Sequence, residues 1–295
     1  MLRRSPIIVA NSRGRLQVIA TPIGNLDDLS ARAREALESA DVIAAEDTRH
    51  TLVLLQSIGV SRPLVSLHAH NERQRVPELL ARLEAGETVA LVSDAGTPLL
   101  SDPGFDLVRE AARAGHDVYA IPGPSAITAA LAVAGLPTSR FCFEGFLPAR
   151  DGERRSRLAQ LAGETRTLVF FEAPHRIAQT LADLLSEFGA DRRAVVAREM
   201  TKAHETVYRG SLGELVALAR DESNFQRGEI TLVVEGCAEI ETAVDTRLLH
   251  LAVELLSKEL PAGRAASIAA KLTGAKRSDV YALLTRESEA RRDER

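Results

Sequence analysis

The sequence is short of several things, and each shortage excludes a class of protein. Its two cysteines, Cys142 and Cys237, lie far apart and form no metal-ligand spacing; a reducing cytoplasm fits that usage. No apolar run approaches the length of a membrane span, and the run from Pro6 to Ala10 is too short for a signal-peptide core. No global basicity announces a nucleic-acid partner, because the net charge is -4. No G-x-x-x-x-G-K-[ST] phosphate loop occurs. What is present is length: 295 residues exceed one typical core, so two or three domains are expected.

Charge is distributed unevenly. Four arginines (Arg3, Arg4, Arg13, Arg15) and no acid precede Asp27, and six Lys/Arg face two acids between Lys258 and Arg286. Local patches of this kind can meet an anionic partner even in a net acidic chain.

The most informative stretch is TVALVSDAGTPLLSDPGF, residues 88–105. The unbroken run Val89–Val92 predicts a strand buried on both faces, as in a parallel sheet. It breaks into a loop rich in Asp, Gly and Pro, and helical spacing follows from Phe105 to Ala114. Such loops, at the carboxyl ends of strands in open α/β sheets, are where ligands bind. Gly96 and Gly104 allow close backbone approach, and Pro98 and Pro103 stiffen the loop.

The same pattern recurs. Leu16–Ala20 reads as a strand ending in TPIGN, Val42–Ala45 as one running into EDTRH, Leu64–Leu67 as one followed by HAHNE, and Val118–Ile121 as one closed by PGPS. Helices fall between them, capped by Ser30, Thr48 and Ser125. This predicts a parallel or mixed sheet with helices on both faces and its polar clusters in one crevice. A second unit, with strands at 141–146, 167–171, 194–197 and 230–234, predicts a mixed α+β sheet; residues 147–152 read as a mobile loop within it. From Asp245 the pattern is helical. Short helices around Thr273-Gly274, beside Lys271, Lys276 and Arg277, have the outline of a helix-turn-helix, and a plain helical hairpin fits equally. The expected divisions are an arm (1–15), two α/β domains (16–121 and 122–240) and a helical domain (245–290).

Nine blocks, from ATPIGNLDDLS (20–30) through AAEDTRHT, SLHAHNE, LVSDAGTPLLSDPG, IPGPSA, FEGFLP, FFEAPHRI and REMTKAHE to GEITLVVEG (228–236), resemble the tetrapyrrole (corrin/porphyrin) methylases, colinearly over almost the whole chain. Within that family they resemble the branch that methylates small-subunit ribosomal RNA. The resemblance implies two α/β domains with S-adenosylmethionine in the cleft between them, a homodimer, and 2′-O-methylation of a cytidine near the decoding site. It also implies cofactor-binding residues Gly96, Thr97, Leu100, Ser125, Ala126, Phe171, Gly228 and Glu229, with Pro22 and Gly24 at the floor. Ser125 could equally be a plain helix cap, Phe171 core packing, and Gly228 a strand start.

A ribose hydroxyl is a very weak acid, so a base or polarising group should assist it. The candidates are Glu46, Asp47, Arg49, His68, His70, Glu72 and Asp94, of which Glu46, Asp47, Arg49 and Asp94 are favoured. Glu46 or Asp47 could instead merely pair with Arg49. His68 and His70 would share one side of an extended segment, but a metal site lacks a third ligand. Arg154, Arg155, Lys271, Lys276 and Arg277 are the expected RNA contacts. Two other functions compete: a precorrin-type carbon methyltransferase, and a non-catalytic nucleic-acid-binding protein.

Overall fold

The computed structural model describes residues 14–222, 224–238 and 246–293, with side chains from 248 to 285 in the last stretch. Arg3, Arg4 and Arg13 of the expected arm, and the expected boundary between 240 and 245, lie outside the described residues. The chain forms two compact units, one through Gly236 and one from Cys237 onward. Both α/β halves belong to the first. The strand β1 begins at Arg15, one residue inside the expected arm, and Arg15 Nε donates to the Thr88 hydroxyl.

The first sheet has β1 (Arg15–Ile19), β2 (Val42–Ala45), β3 (Leu64–Ser66), β4 (Thr88–Val92) and β5 (Asp117–Ile121), all parallel, in the order β3-β2-β4-β1-β5. Alternation of side chains explains why its strands read as continuous apolar runs. Val42, Ala44, Val89 and Leu91 face a layer made by α3 (Glu72–Glu84) and α4 (Phe105–Arg113). Ile43, Ala45, Ala90 and Val92 face the opposite layer, made by α1 (Ala31–Ser39) and α2 (Thr48–Ser57). With both faces covered, a strand needs apolar residues at every position. Because β4 lies between β2 and β1, the loop after β4 sits at the middle of the sheet edge, where the strand order turns back on itself.

The second sheet has β6 (Phe141–Phe146), β7 (Thr167–Glu172), β8 (Arg193–Arg198), β9 (Thr206–Ser211) and β10 (Ile230–Val234), in the order β6-β7-β10-β8-β9. Only β6 and β7 pair in parallel. One face packs on α6 (Asp151–Leu161), α7 (Ile177–Phe188) and α8 (Leu212–Asp221). The other packs on α5 (Ala126–Ala134), together with Ile23 from the first half. Sequence reading missed β9, whose TVYRGS has no apolar run, and it took the start of α6 for a mobile loop. The connection between β6 and α6 is in fact only residues 147–150.

In the second unit α9 (Thr246–Glu259), α10 (Ala262–Thr273) and α11 (Arg277–Asp293) enclose Val253, Ala265, Ala266, Ala269 and Val280. Gly274 ends α10 in the left-handed conformation that suits glycine.

Two helix starts correct the sequence reading. Asp47, not Thr48, caps α2, its side chain accepting the Arg49 N–H. Arg154 is no surface arginine. It is 2% exposed, and its guanidinium meets Asp183 Oδ2 and Asp151 Oδ1, each at 2.7 Å. Asp183 is itself buried and also accepts from Arg155 at 3.1 Å. A buried charge that loses its partner is costly, so Asp183→Ala is expected to lower the unfolding free energy by about 3–5 kcal/mol in urea titrations. Arg154→Met combined with Asp183→Leu should recover most of that loss. A loss of under ~1 kcal/mol for Asp183→Ala would show that the pair is not structural.

Candidate functional site

Loops from both halves converge on one cleft of about 470 Å³ within the first unit. From the first half come Ile23 after β1, Glu46 at the end of β2, and the stretch 94–97 and residues 100–102 after β4; Ser125 and Ala126 come from the start of α5, which packs on the second sheet. From the second half come Phe146, Phe171–Pro174, Ala197, Met200 and Gly228–Thr231.

The central loop is pinned by backbone bonds. Thr21 and Gly96 exchange N–H···O bonds of 2.9 and 3.0 Å, the Thr97 hydroxyl donates to the Pro124 carbonyl, and the Thr21 hydroxyl donates to the Ser93 carbonyl. Gly96 adopts φ +81°, and a Cβ there would stand 3.2 Å from Ile23 Cγ2. Gly104 adopts φ +113°, with Leu91 Cδ2 at 2.8 Å from where a Cβ would lie. Leu99 and Ser101 also have positive φ, 76° and 74°, a conformation costly for residues with a side chain. Backbone strain of this kind concentrates at functional sites.

The aromatic wall is Phe171, which packs edge-on against Phe143 at 4.9 Å and lies beside Phe146 at 5.6 Å. Ser125 holds the cap position of α5, yet its side chain makes no capping hydrogen bond, so the plain-cap reading fails. Gly228 precedes β10 and adopts φ +78°, and a Cβ there would collide with the Glu199 carboxyl at 2.4 Å. Glu199 in turn accepts the Glu229 N–H at 2.9 Å. Lys202 bridges Glu199 and Glu229. Pro22 and Gly24 do not line the cleft. Ile23 between them does, while Gly24 lies under the Lys202 side chain, which would clash with a Cβ.

The cleft is acidic. Its lining carries Glu46, Asp94, Asp102, Glu172 and Glu229 and no Lys or Arg. Burial, and then the neighbouring Asp94 charge, raise the Glu46 carboxyl above its usual range. Asp102 is pushed up to about 6, chiefly by burial and further by Glu46 and Asp94, against the opposing hydrogen bond of the Ser93 hydroxyl. Sequence reading passed over Asp102 because only its placement beside two distant acids distinguishes it.

Asp47 and Arg49 lie outside the lining and pair with each other at 2.6 Å, and Arg49 is 88% exposed. That bond, with the Arg49 N–H, holds Asp47 well below the usual carboxylate range. Glu72 is a cap, its Oε1 accepting the N–H groups of Gly104 and Asp106 at the head of α4. His68 and His70 meet edge-on at 6.0 Å, and among the described residues no cluster could hold a metal. Arg176 donates to the Leu147 and Pro148 carbonyls, and Glu172 is occupied by Thr180 and the Ala173 N–H. Arg155 remains half in solvent, and Lys271, Lys276 and Arg277 are exposed around the α10–α11 turn.

Residues 15–216 match the family model of the Tetrapyrrole (Corrin/Porphyrin) Methylases. The chain belongs to this family. Residues 245–287 match a model described as the RsmI C-terminal HTH domain. Among curated relatives, Ribosomal RNA small subunit methyltransferase I of Xylella fastidiosa is 52% identical over 268 residues, 91% of this chain and 98% of that one. The protein of the same name from Escherichia coli O157:H7 is 47% identical over 271 residues, 92% and 94% of the two chains. Among solved structures, the methyltransferase CobJ superposes with a TM-score of 0.57 at 21% identity, covering 76% of this chain and 95% of its own. Diphthine synthase does so with 0.56 at 19%, covering 75% and 90%. Those two likenesses establish the methylase fold alone. Of the five strand-end clusters expected in one crevice, this methylase brings the central loop, Ile23 of TPIGN, Glu46 of EDTRH and Ser125 of PGPS to the cleft lining, while no residue of HAHNE lines it.

The raised Asp102 has a stability consequence. Between about pH 4 and pH 6 the folded chain keeps a proton that the unfolded chain has lost, so this group's contribution falls as pH rises through that window. Asp102→Asn is expected to flatten the pH dependence of urea stability there and to leave the protein more stable than wild type at pH 7. Parallel curves for the two proteins would show that Asp102 titrates normally.

Proposed function

We propose that this methylase transfers a methyl group from S-adenosylmethionine to small-subunit ribosomal RNA, at the 2′-oxygen of a cytidine near the decoding site. The observation that carries the reading is the acidic cleft, taken with relatives of that name at about half identity over nine-tenths of the chain. When bound, the cofactor supplies a methyl group on a positively charged sulfur. Of the five lining carboxylates Glu229 pairs with Lys202 and Glu172 with Arg176, and the remaining three, Glu46, Asp94 and Asp102, suit a cation and oppose a phosphate. The volume suits a nucleoside-sized ligand. Gly96, Thr97, Leu100, Ser125, Ala126, Phe171, Gly228 and Glu229 would hold it, with Ile23 replacing Pro22 and Gly24 at the floor.

Glu46 and Asp94 are the carboxylates we assign to the reacting end. Asp47 holds Arg49 through its Nε and Nη2, and the exposed remainder of the Arg49 guanidinium would face an RNA phosphate. RNA contacts then fall to Arg155, Lys271, Lys276 and Arg277, without Arg154. We read the protein as a cytoplasmic homodimer. Leu52 and Val53, large apolar residues exposed on α2, support self-association, and among the described residues no helix is long and apolar enough to cross a membrane.

Labelled S-adenosylmethionine offered with small ribosomal subunits, naked ribosomal RNA or a tetrapyrrole tests the reading. Label in ribosomal RNA, resistant to alkali at one cytidine, is the expected result; label in the tetrapyrrole, or none, would overturn it. Changing Lys271, Lys276 and Arg277 together to Ala is expected to weaken substrate binding. It should also flatten the salt dependence by roughly 0.7 log units per tenfold salt for each single-strand phosphate no longer neutralised. An unchanged slope with intact methylation would remove the helical unit from RNA binding.

A further inference from the structure

His50 stands in the first turn of α2, and Asp94 heads the loop after β4. The two are 44 residues apart in sequence, yet His50 Nδ1 lies 3.2 Å from Asp94 Oδ2. The other carboxylate oxygen, Oδ1, accepts the Asp47 N–H at 2.9 Å, so both oxygens of Asp94 are fixed. Asp94 lines the cleft. The His50 side chain is 71% exposed and stands outside the cleft lining, where a bound RNA can reach it.

We propose that His50 is the proton acceptor of the methyl transfer and that Asp94 orients it, an inference that rests on the reading of the chain as a ribose methyltransferase. A carboxylate on Nδ1 selects the tautomer with the proton there and leaves the Nε2 lone pair free as a base. It also stabilises the imidazolium that forms. The other candidate groups are committed elsewhere. Asp47 is bound to Arg49, and Glu72 caps α4. His68 lies near enough to Glu46 for their charges to interact, but among the described residues no carboxylate bonds its ring, and its buried Nδ1 has no hydrogen-bond partner to fix a tautomer. Glu46 and Asp102 are carboxylates, whose ordinary base strength is below that of imidazole, and burial and neighbouring charge narrow that gap; what sets His50 apart is the carboxylate fixed on its Nδ1. The charged groups around His50 are Asp94 from the β4–α4 loop, Asp47 and Arg49 from its own element, and Glu46 beyond Asp94.

The step balances. The 2′-hydroxyl proton passes to His50 Nε2 while the oxygen's electron pair bonds the methyl carbon. The pair of the breaking carbon–sulfur bond stays on sulfur, which becomes a neutral thioether, and the positive charge ends on the imidazolium.

The test uses the full chain, labelled S-adenosylmethionine and isolated small ribosomal subunits. His50→Ala is expected to lose roughly 10²–10⁴-fold in turnover. Its cofactor affinity, read by calorimetry, should stay within about twofold of wild type, and added imidazole should restore part of the rate. Nitrogen-15 spectra of the cofactor-free protein give a readout independent of activity. With seven histidines to assign, the His50 ring should show its proton on Nδ1, and Asp94→Asn should abolish that preference. A His50→Ala variant of near-normal rate, a loss that imidazole does not repair, or a His50 proton on Nε2 would each overturn the proposal. If wild type transfers nothing, the functional reading falls and this proposal with it. If wild type transfers and His50→Ala is unimpaired, only this proposal falls.

Discussion

Like charges drawn together away from water repel, and the cleft is built on that repulsion. Glu46 ends β2, Asp94 and Asp102 lie on the loop after β4, and no Lys or Arg shares the lining. Burial and mutual charge hold Glu46 and Asp102 above their usual ranges. Such a site is destabilised until something positive enters it, and a ligand that does so gains from relieving the repulsion. The proposed sulfonium cofactor has that charge, and after the methyl leaves, the neutral thioether has lost it.

The rest of the first unit keeps these acids where the repulsion would disperse them. Two apolar layers clamp the parallel sheet and fix the ends of β2 and β4 beside each other. The Thr21–Gly96 backbone pair and the Thr97–Pro124 bond tie the central loop to its neighbours. Glu72 caps α4 and so anchors the loop's far end. Left-handed Leu99 and Ser101 between those anchors are tolerated because the anchors leave the backbone no other path.

Much of this was legible in the sequence because the signals are local. An apolar run that gives way to Gly, Pro or a cluster of polar residues marks a strand end, and the blocks around Glu46, Asp94 and Ser125 each carry such a mark. What was not legible depends on pairing across distance. Arg154 reads as a loop cation until Asp183 is placed against it, and Glu72 reads as a catalytic acid until Gly104 and Asp106 are placed above it. Pro22 and Gly24 stand out in the sequence as turn residues, while the side chain that enters the cleft is the plain apolar Ile23. The pairing of His50 with Asp94, and the raised Asp102, arise only when β2 and β4 lie side by side.

The central claim is that the acids favour a cation, and one comparison isolates it. S-adenosylmethionine and S-adenosylhomocysteine differ by a methyl group and a positive charge at sulfur. Calorimetry at pH 7.5 on wild type and on a Glu46→Gln, Asp102→Asn variant shown to be folded gives the ratio of the two affinities in each protein. The account predicts that the ratio shifts toward the neutral thioether by roughly tenfold or more in the variant, corresponding to about 1.4 kcal/mol of lost charge interaction. An unchanged ratio would contradict it.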